Sequence, residues 1–335
     1  MSRVEYSVHD RPVETAALEP LIFSIDYASG ALSSERRASM TSPAALPSLA
    51  PRRALAAVSV AYAAGLLLAF GVSWALGARS PIVVAALADL VATLAVFGFS
   101  VRHDNSSLYD PYWSLAPIPI AAYWVSCAPA GPTLRAIVVL ALVALWGVRL
   151  TGNWVARWRG LGDEDFRYVE IRTRTGRLYW PVSLVAIHLL PTAWVFLGLL
   201  AAWPALGREG RTPGLLDALA LAVTVSGIAV EAVSDHQLRR FLRSRRDASA
   251  VLEAGLWRLS RHPNYFGEVS FWWGLWLFGV AADPGWAWSV VGPLSITLLF
   301  LLVSIPWMDR RMLSRHPAWA ARMAISALVP WPRRG

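Results

Sequence analysis

Residues 255–282 read GLWRLSRHPNYFGEVSFWWGLWLFGVAA. The character of the stretch changes halfway along. Arg258, Arg261, His262, Asn264, Tyr265 and Glu268 crowd the first half, and the second half is almost wholly apolar. Pro263 drives His262 toward an extended backbone and is suited to the first turn of a helix. A helix therefore opens at Pro263 with a polar mouth and continues into residues that belong in hydrocarbon.

The rest of the chain has the same composition. Of 335 residues 56% are hydrophobic and 16% charged, with 18 tryptophans. Soluble domains carry about 25% charged residues, and tryptophan favours the membrane–water interface. Apolar runs long enough to span a bilayer fall at roughly 54–77, 82–101, 112–129, 134–151, 180–203, 214–234, 268–282 and 286–305. Pro117 and Pro119 interrupt the third, and the seventh is short. Lipid-facing backbone must satisfy its own hydrogen bonds, so the spans are helices. The expected fold is all-α, a polytopic membrane bundle of about eight spans, within a range of six to ten. Residues 1–50 lack a sustained period and read as a disordered tail, with Met40 an alternative start. Residues 51–335 read as one membrane domain with its cofactor region over about 150–335.

Arginine sets the orientation. All 31 basic residues are arginine, which excludes a P-loop lysine and a lysine Schiff base. Most lie in alternate loops, those around 52–53, 102, 157–177, 239–261 and beyond 310, whereas the intervening loops hold Arg79, Arg135, Arg208 and Arg211. By the positive-inside rule both termini are cytoplasmic, and the charge of +9 reads as an orientation signal, not a nucleic-acid footprint. A bacterial inner membrane is the expected location, with the active site facing the cytoplasm. Cys127 is the single cysteine, so neither an intrachain disulfide nor a cysteine metal cluster is available. No HExxH, GxSxG or strand-borne GxGxxG occurs, so zinc-protease, serine-hydrolase and Rossmann chemistry lack support.

Two inner segments, about 152–179 and 235–267, exceed ordinary turns, and loops of that length usually carry function. In EAVSDHQLRRFLRS (231–244) the arginines Arg239, Arg240 and Arg243 fall at helical spacing and continue the sixth span. Asp235 and Gln237 sit at its exit, and Trp257, Arg258, Arg261, His262, Asn264, Tyr265 and Glu268 follow. A helix N-terminus favours anions and arginine pairs with phosphate, so the cluster reads as a pocket for a phosphorylated cofactor. In GLGDEDFRYVEIRTRTG (160–176) Asp163, Glu164, Asp165, Arg167 and Tyr168 are expected to pair with the arginines of the other long segment, and Asp165, Arg167 and Tyr168 are counted among the cofactor-binding residues. In HDNSSLYDPYWSLAP (103–117) Asn105, Tyr109, Asp110, Tyr112 and Trp113 form a candidate substrate wall. Asp89, His188 and Glu231 are ionisable groups within apolar runs, and such groups are functional candidates.

GLWRLSRHPNYFGE, NSSLYDPYWSLAP, LWGVRLTGNW, the DEDFRY loop, EAVSDHQLRRF and PWMDRRMLSRHPAW…ALVPWP together resemble the steroid 5-alpha-reductase C-terminal family, especially its bacterial branch, over about residues 85–332. The RHPxY core by itself is shared with sterol C14-reductases, isoprenylcysteine carboxyl methyltransferases and phospholipid methyltransferases. The resemblance implies a membrane bundle that binds NADPH from the cytoplasm and reduces an activated C=C bond of a lipid or steroid-like substrate. It implies that Asn264 and Glu268 lie near the nicotinamide, that Asp235 holds the adenosine half, and that Arg310 or Arg311 reaches the phosphates. Glu231 stands where the steroid enzymes carry a cofactor-binding asparagine, and Trp319 and Arg322 stand where relatives carry tyrosines. Glu268, Tyr265, Tyr109 and Asp110 are the expected catalytic groups. Two other classes stay open from the residues: a methyltransferase using S-adenosylmethionine, and a non-catalytic lipid-binding protein.

Overall fold

The computed structural model describes residues 51–77, 79–208, 210–244, 247 and 249–330. The tail expected over 1–50 lies outside the described residues. Every regular element among them is helical: α1 (Pro51–Leu76), α2 (Pro81–Arg102), α3 (Tyr112–Leu115), α4 (Pro117–Ser126), α5 (Leu134–Val155), α6 (Phe166–Thr175), α7 (Tyr179–Ser183), α8 (Leu190–Leu200), α9 (Trp203–Gly207), α10 (Leu215–Ser244), α11 (Pro263–Ala282), α12 (Val291–Leu299), α13 (Ile305–Arg315) and α14 (Trp319–Arg322). π-helical turns at Leu184–Leu189 and Phe300–Ser304 join α7 to α8 and α12 to α13.

Among the described residues six segments are long and apolar enough to cross a membrane: Arg53–Leu76, Pro81–Arg102, Leu134–Val155, Phe166–Leu200, Leu215–Ser244 and Pro284–Arg315. The chain is an integral membrane protein. The two other expected spans also run from one end of the bundle to the other. Asn105, just before α3, donates to Leu161 O, while Trp124, near the end of α4, donates to Pro81 O at the far end. The prolines break this traverse into α3 and α4. α11 begins beside α13, where Arg261 meets Asp309, and ends where Ala282 O accepts from Arg211 N. Its polar first turn and its tryptophans lower its hydropathy, which is tolerated because protein covers most of its surface.

α11 is the axis of the core. Phe271, Trp272, Leu275 and Phe278 pack with Trp124, Trp146, Leu199, Leu206 and Ile296. Leu67, Phe70 and Trp74 on α1 and Leu302 near α12 face outward, as lipid contact requires. At the end remote from the polar mouth, the Arg135 guanidinium donates to both Asp217 oxygens at 2.6 and 2.9 Å and to Arg211 O at 2.6 Å, fastening α5 to α10.

α10 and α11 cross at backbone contact. A Cβ at Gly267 would lie 2.6 Å from Gly227 O, and one at Gly227 would lie 2.8 Å from both Gly267 O and Phe271 N. Small residues let membrane helices approach this closely, where packing and not the hydrophobic effect drives association. The crossing places Glu231 of α10 against Gly267 and beside Glu268. Gly267→Ala is expected to cost ~1–3 kcal/mol through overpacking, read as a lowered unfolding temperature in detergent. Gly71→Ala on α1, where a Cβ meets nothing within 4 Å, should leave that temperature unchanged; equal losses would contradict the crossing.

Candidate functional site

α5, α10 and α11 build a polar column that starts at the helix mouths and ends deep in the bundle. Near the mouth Arg239 donates to the side-chain oxygen of Asn153. Asn153 Nδ2 donates in turn to Asp235 Oδ2 at 2.9 Å, and Arg149 Nη1 reaches the same oxygen at 3.0 Å. The other arm of Arg149 ion-pairs with Glu231. Glu268 closes the column: Trp146 Nε1 and Trp272 Nε1 each donate to one of its carboxylate oxygens at 2.8 Å. Helical geometry explains the alignment, because Glu231 and Asp235 on α10, and Asn264 and Glu268 on α11, are each four residues apart and share a face. Asn264 Oδ1 is buried without a hydrogen-bond partner in the first turn of α11.

A second wall comes from the segment before α3 and from α6. Asp165 caps α6, accepting from Arg167 N at 2.9 Å and from Arg167 Nε at 2.8 Å, while its own N–H donates to Ser107 Oγ. Tyr168 OH donates to Asp110 Oδ1 at 2.7 Å. Desolvation, reinforced by the charge of Asp165, outweighs the hydrogen bonds from Tyr168 and Ser107 and the charge of Arg167, and carries the Asp110 carboxyl up to about 7. Tyr109 OH meets Thr192 Oγ1 at 2.8 Å, Thr192 meets Thr93 at 3.0 Å, and Tyr112 donates to Asp89 at 2.8 Å. His188, inside the first π turn, contacts Ser183 O and Ser100 Oγ and packs against Tyr109. Tyr265 stacks on His262 with centroids 5.0 Å apart and packs against Phe300 at 4.7 Å.

A third cluster is a clamp. Arg261, 8% exposed, donates from Nε to Asp309 at 3.2 Å and from Nη1 to Met323 O and Ile325 O. His262 Nε2 and Trp319 Nε1 each lie 3.0 Å from Asp309 Oδ1. Arg322 donates to Trp257 O and Ser260 O, Ser260 Oγ donates to Leu328 O, and Trp257 Nε1 donates to Ser234 O. The segment after α13 is thereby strapped onto the RHP turn. Gln237 accepts from Leu256 N at 3.0 Å, tying the same turn to α10.

The structure thus sorts the expected residues. Glu231, Asp235, Arg239, Asn264 and Glu268 share the column; Asp110, Asp165, Arg167, Tyr168 and Tyr109 share the second wall. Arg261, His262 and Trp257 lie in the clamp, where they bond to Asp309, to the Met323 and Ile325 carbonyls and to Ser234 O. Arg243 and Arg258 are exposed, Arg310 is exposed with Nε on Pro306 O, and the Arg311 guanidinium covers the Phe166 ring at 3.4 Å. The acidic DEDFRY residues do not pair with the arginines of the 235–267 segment among the described residues. Glu164 instead accepts from Ser106 N, Arg172 and Tyr179, and Asp163 Oδ2 accepts from Arg159 N. Sequence reading missed Arg149, Asn153, Trp146, Trp272 and Asp309. Arg149 had a visible signal, as a charge inside the apolar run LWGVRLTGNW; Asp309 had none, because its charged partners His262 and Arg261 lie 47 and 48 residues away.

Arg261→Ala should lower stability by ~3–5 kcal/mol, as when one member of a buried pair is removed, whereas exposed Arg243→Ala should stay within about 0.5 kcal/mol; thermal unfolding in detergent measures both. For Asp110 the folded carboxyl keeps its proton up to about 7, while a solvated aspartate releases it near ~3.9. The folded state then holds more protons in that window, so the contribution of Asp110 to stability is present below it and falls as pH rises through it. The unfolding temperature of the wild type relative to Asp110→Asn should accordingly decline between these pH values; a flat difference would contradict the assignment.

The model of a family described as "Protein of unknown function (DUF1295)" matches residues 96–322. An uncharacterized protein of Schizosaccharomyces pombe is 24% identical over 246 residues, covering 66% of this chain and 71% of the relative. No solved structure matches.

Proposed function

The chain belongs to the DUF1295 family, and we propose that it is a membrane-embedded, NADPH-dependent reductase that saturates an activated C=C bond of a lipid or steroid-like substrate. The observation that carries the reading is the orphaned Asn264 Oδ1, at a helix mouth that also presents Asp235, Arg239 and Asn153. A buried acceptor without a partner costs on the order of 1–3 kcal/mol, and a carboxamide N–H2 of a nicotinamide would satisfy it. The resemblance of the RHPNYFGE stretch to steroid 5-alpha-reductases supports the same assignment.

The residues present fit the cofactor. Asn264 would hold the nicotinamide end and Asp235 the adenosine end. Arg239, Arg243 and Arg311 supply positive charge for phosphates, since the Arg261 guanidinium is engaged within the clamp. When bound, NADPH supplies a hydride. The protein contributes orientation through Asn264 and Asp235 and excludes water behind Trp146, Phe271 and Trp272. It also contributes an acidic proton at Asp110, whose carboxyl is protonated over much of the range below about 7. Protonated Asp110, with Tyr168 beside it at 2.7 Å, is suited to hydrogen-bond the carbonyl that activates the double bond. The positive-inside pattern supports a mouth on the cytoplasmic side, where a dissolved cofactor would reach it, while the substrate would stay in the bilayer.

Purified protein in detergent should bind NADPH more tightly than NADH, with affinity falling as salt rises because arginine–phosphate contacts are screened. Asn264→Ala should weaken binding by roughly tenfold, about the net worth of one hydrogen bond of ~1–1.5 kcal/mol, while the unfolding temperature is kept. Preferential binding of S-adenosylmethionine in the same titration would overturn the reductase reading.

A further inference from the structure

Three carboxylates, Glu231, Asp235 and Glu268, surround one guanidinium, that of Arg149, in the interior of the bundle. Asp235 is the better compensated, accepting from both Arg149 and Asn153. Glu231 and Glu268 are 5% exposed each, and the α10–α11 crossing sets Glu231 against Gly267, next to Glu268. Like charges held together in a low-dielectric interior do not both ionise. The groups facing the pair are Arg149 and Trp146 from α5, Asp235 from α10 and Trp272 from α11, so a single cation faces three acids.

We propose that Glu231 and Glu268 form a proton-sharing carboxyl pair, clamped by Arg149 and the two indoles, that stores the proton consumed at the site. Glu268 accepts an indole N–H on each oxygen and Glu231 meets the Arg149 guanidinium, so each acid has partners for its ionised form and the proton belongs to the pair, not to one member. The pair titrates as a unit, not as two independent residues. Its use in catalysis rests on the reductase reading. In that reaction the β-carbon of the acceptor gains a hydride from a reduced nicotinamide and the C=C π pair becomes an enolate. The enolate then takes a proton at its α-carbon as the carboxyl O–H bond breaks, and a carboxylate is left. Water at the Arg239–Asn153 mouth returns the proton, with Asp235 between. Charge and atoms balance as one hydride and one proton added across the double bond. Glu231 stands where the steroid enzymes carry asparagine, so the store is a property of this chain's own residues.

Infrared spectroscopy of the full-length protein in nanodiscs reads the proton directly, through the carbonyl stretch of a protonated carboxyl group. In mildly alkaline buffer, where Asp110 is ionised, the wild type should show this band. Glu231→Gln, which keeps a donor toward Glu268, should fold and lose the band. Glu268→Gln should also lose it, because Arg149 then faces two acids, Glu231 and the better compensated Asp235, instead of three. A wild type without the band, or a band that persists in both variants, overturns the shared proton. The wild-type measurement decides the matter even if a variant does not fold. Nucleotide plays no part in it, so its failure is separate from a failure of NADPH to bind.

Discussion

The backbone contact between Gly227 and Gly267 is the constraint on which the rest depends. A methyl group at either position would meet peptide atoms of the other helix at 2.6–2.8 Å. With both side chains absent, α10 and α11 touch along their backbones, and Glu231, one turn beyond Gly227, is brought against Gly267 and so beside Glu268. Two acids in that position require a cation and strong donors, and α5 supplies both in Arg149 and Trp146. The polar column follows from a steric fact about two glycines. The Arg135–Asp217 lock at the other end and the Asp309 clamp at the mouth hold the same helices in register.

Much of the fold was legible because membrane helices are written in long apolar runs. The eight expected runs all correspond to traverses of the bundle, and the prolines at 117 and 119 mark the one that breaks. The mouth of α11 was legible for a local reason: Pro263 opens the first turn of the helix, although His262 before it, at φ −136 and ψ 64, stays outside the helical region without being fully extended. The continuation of α10 through Arg239 and Arg243 was legible from spacing. Asp235, Asn264 and Glu268 share the column because residues four apart share a helix face.

The remainder depended on contacts between distant segments. Arg261 has the look of a phosphate ligand in sequence, next to a histidine and a helix mouth. Its acid, Asp309, and the carbonyls it caps lie 48 to 64 residues further on, and no periodicity announces them. The DEDFRY acids look like partners for a remote arginine cluster, yet Glu164 turns to the Ser106 backbone and Arg172 instead. Arg149 went unread because one charge in an apolar run resembles an interfacial anchor until the opposing carboxylates are placed around it. In each case the sequence names the chemical groups and the fold chooses their partners.

The reading of this chain as a cofactor-binding reductase is tested most directly by an electron cryomicroscopy map of the protein in nanodiscs with NADPH present. The account predicts density for the nucleotide along the mouths of α10 and α11, with its nicotinamide end at Asn264 and its phosphates toward Arg239, Arg243 and Arg311. Nucleotide density on another face of the bundle, or a column that stays closed around Arg149 and Asn264 at saturating NADPH, would contradict it.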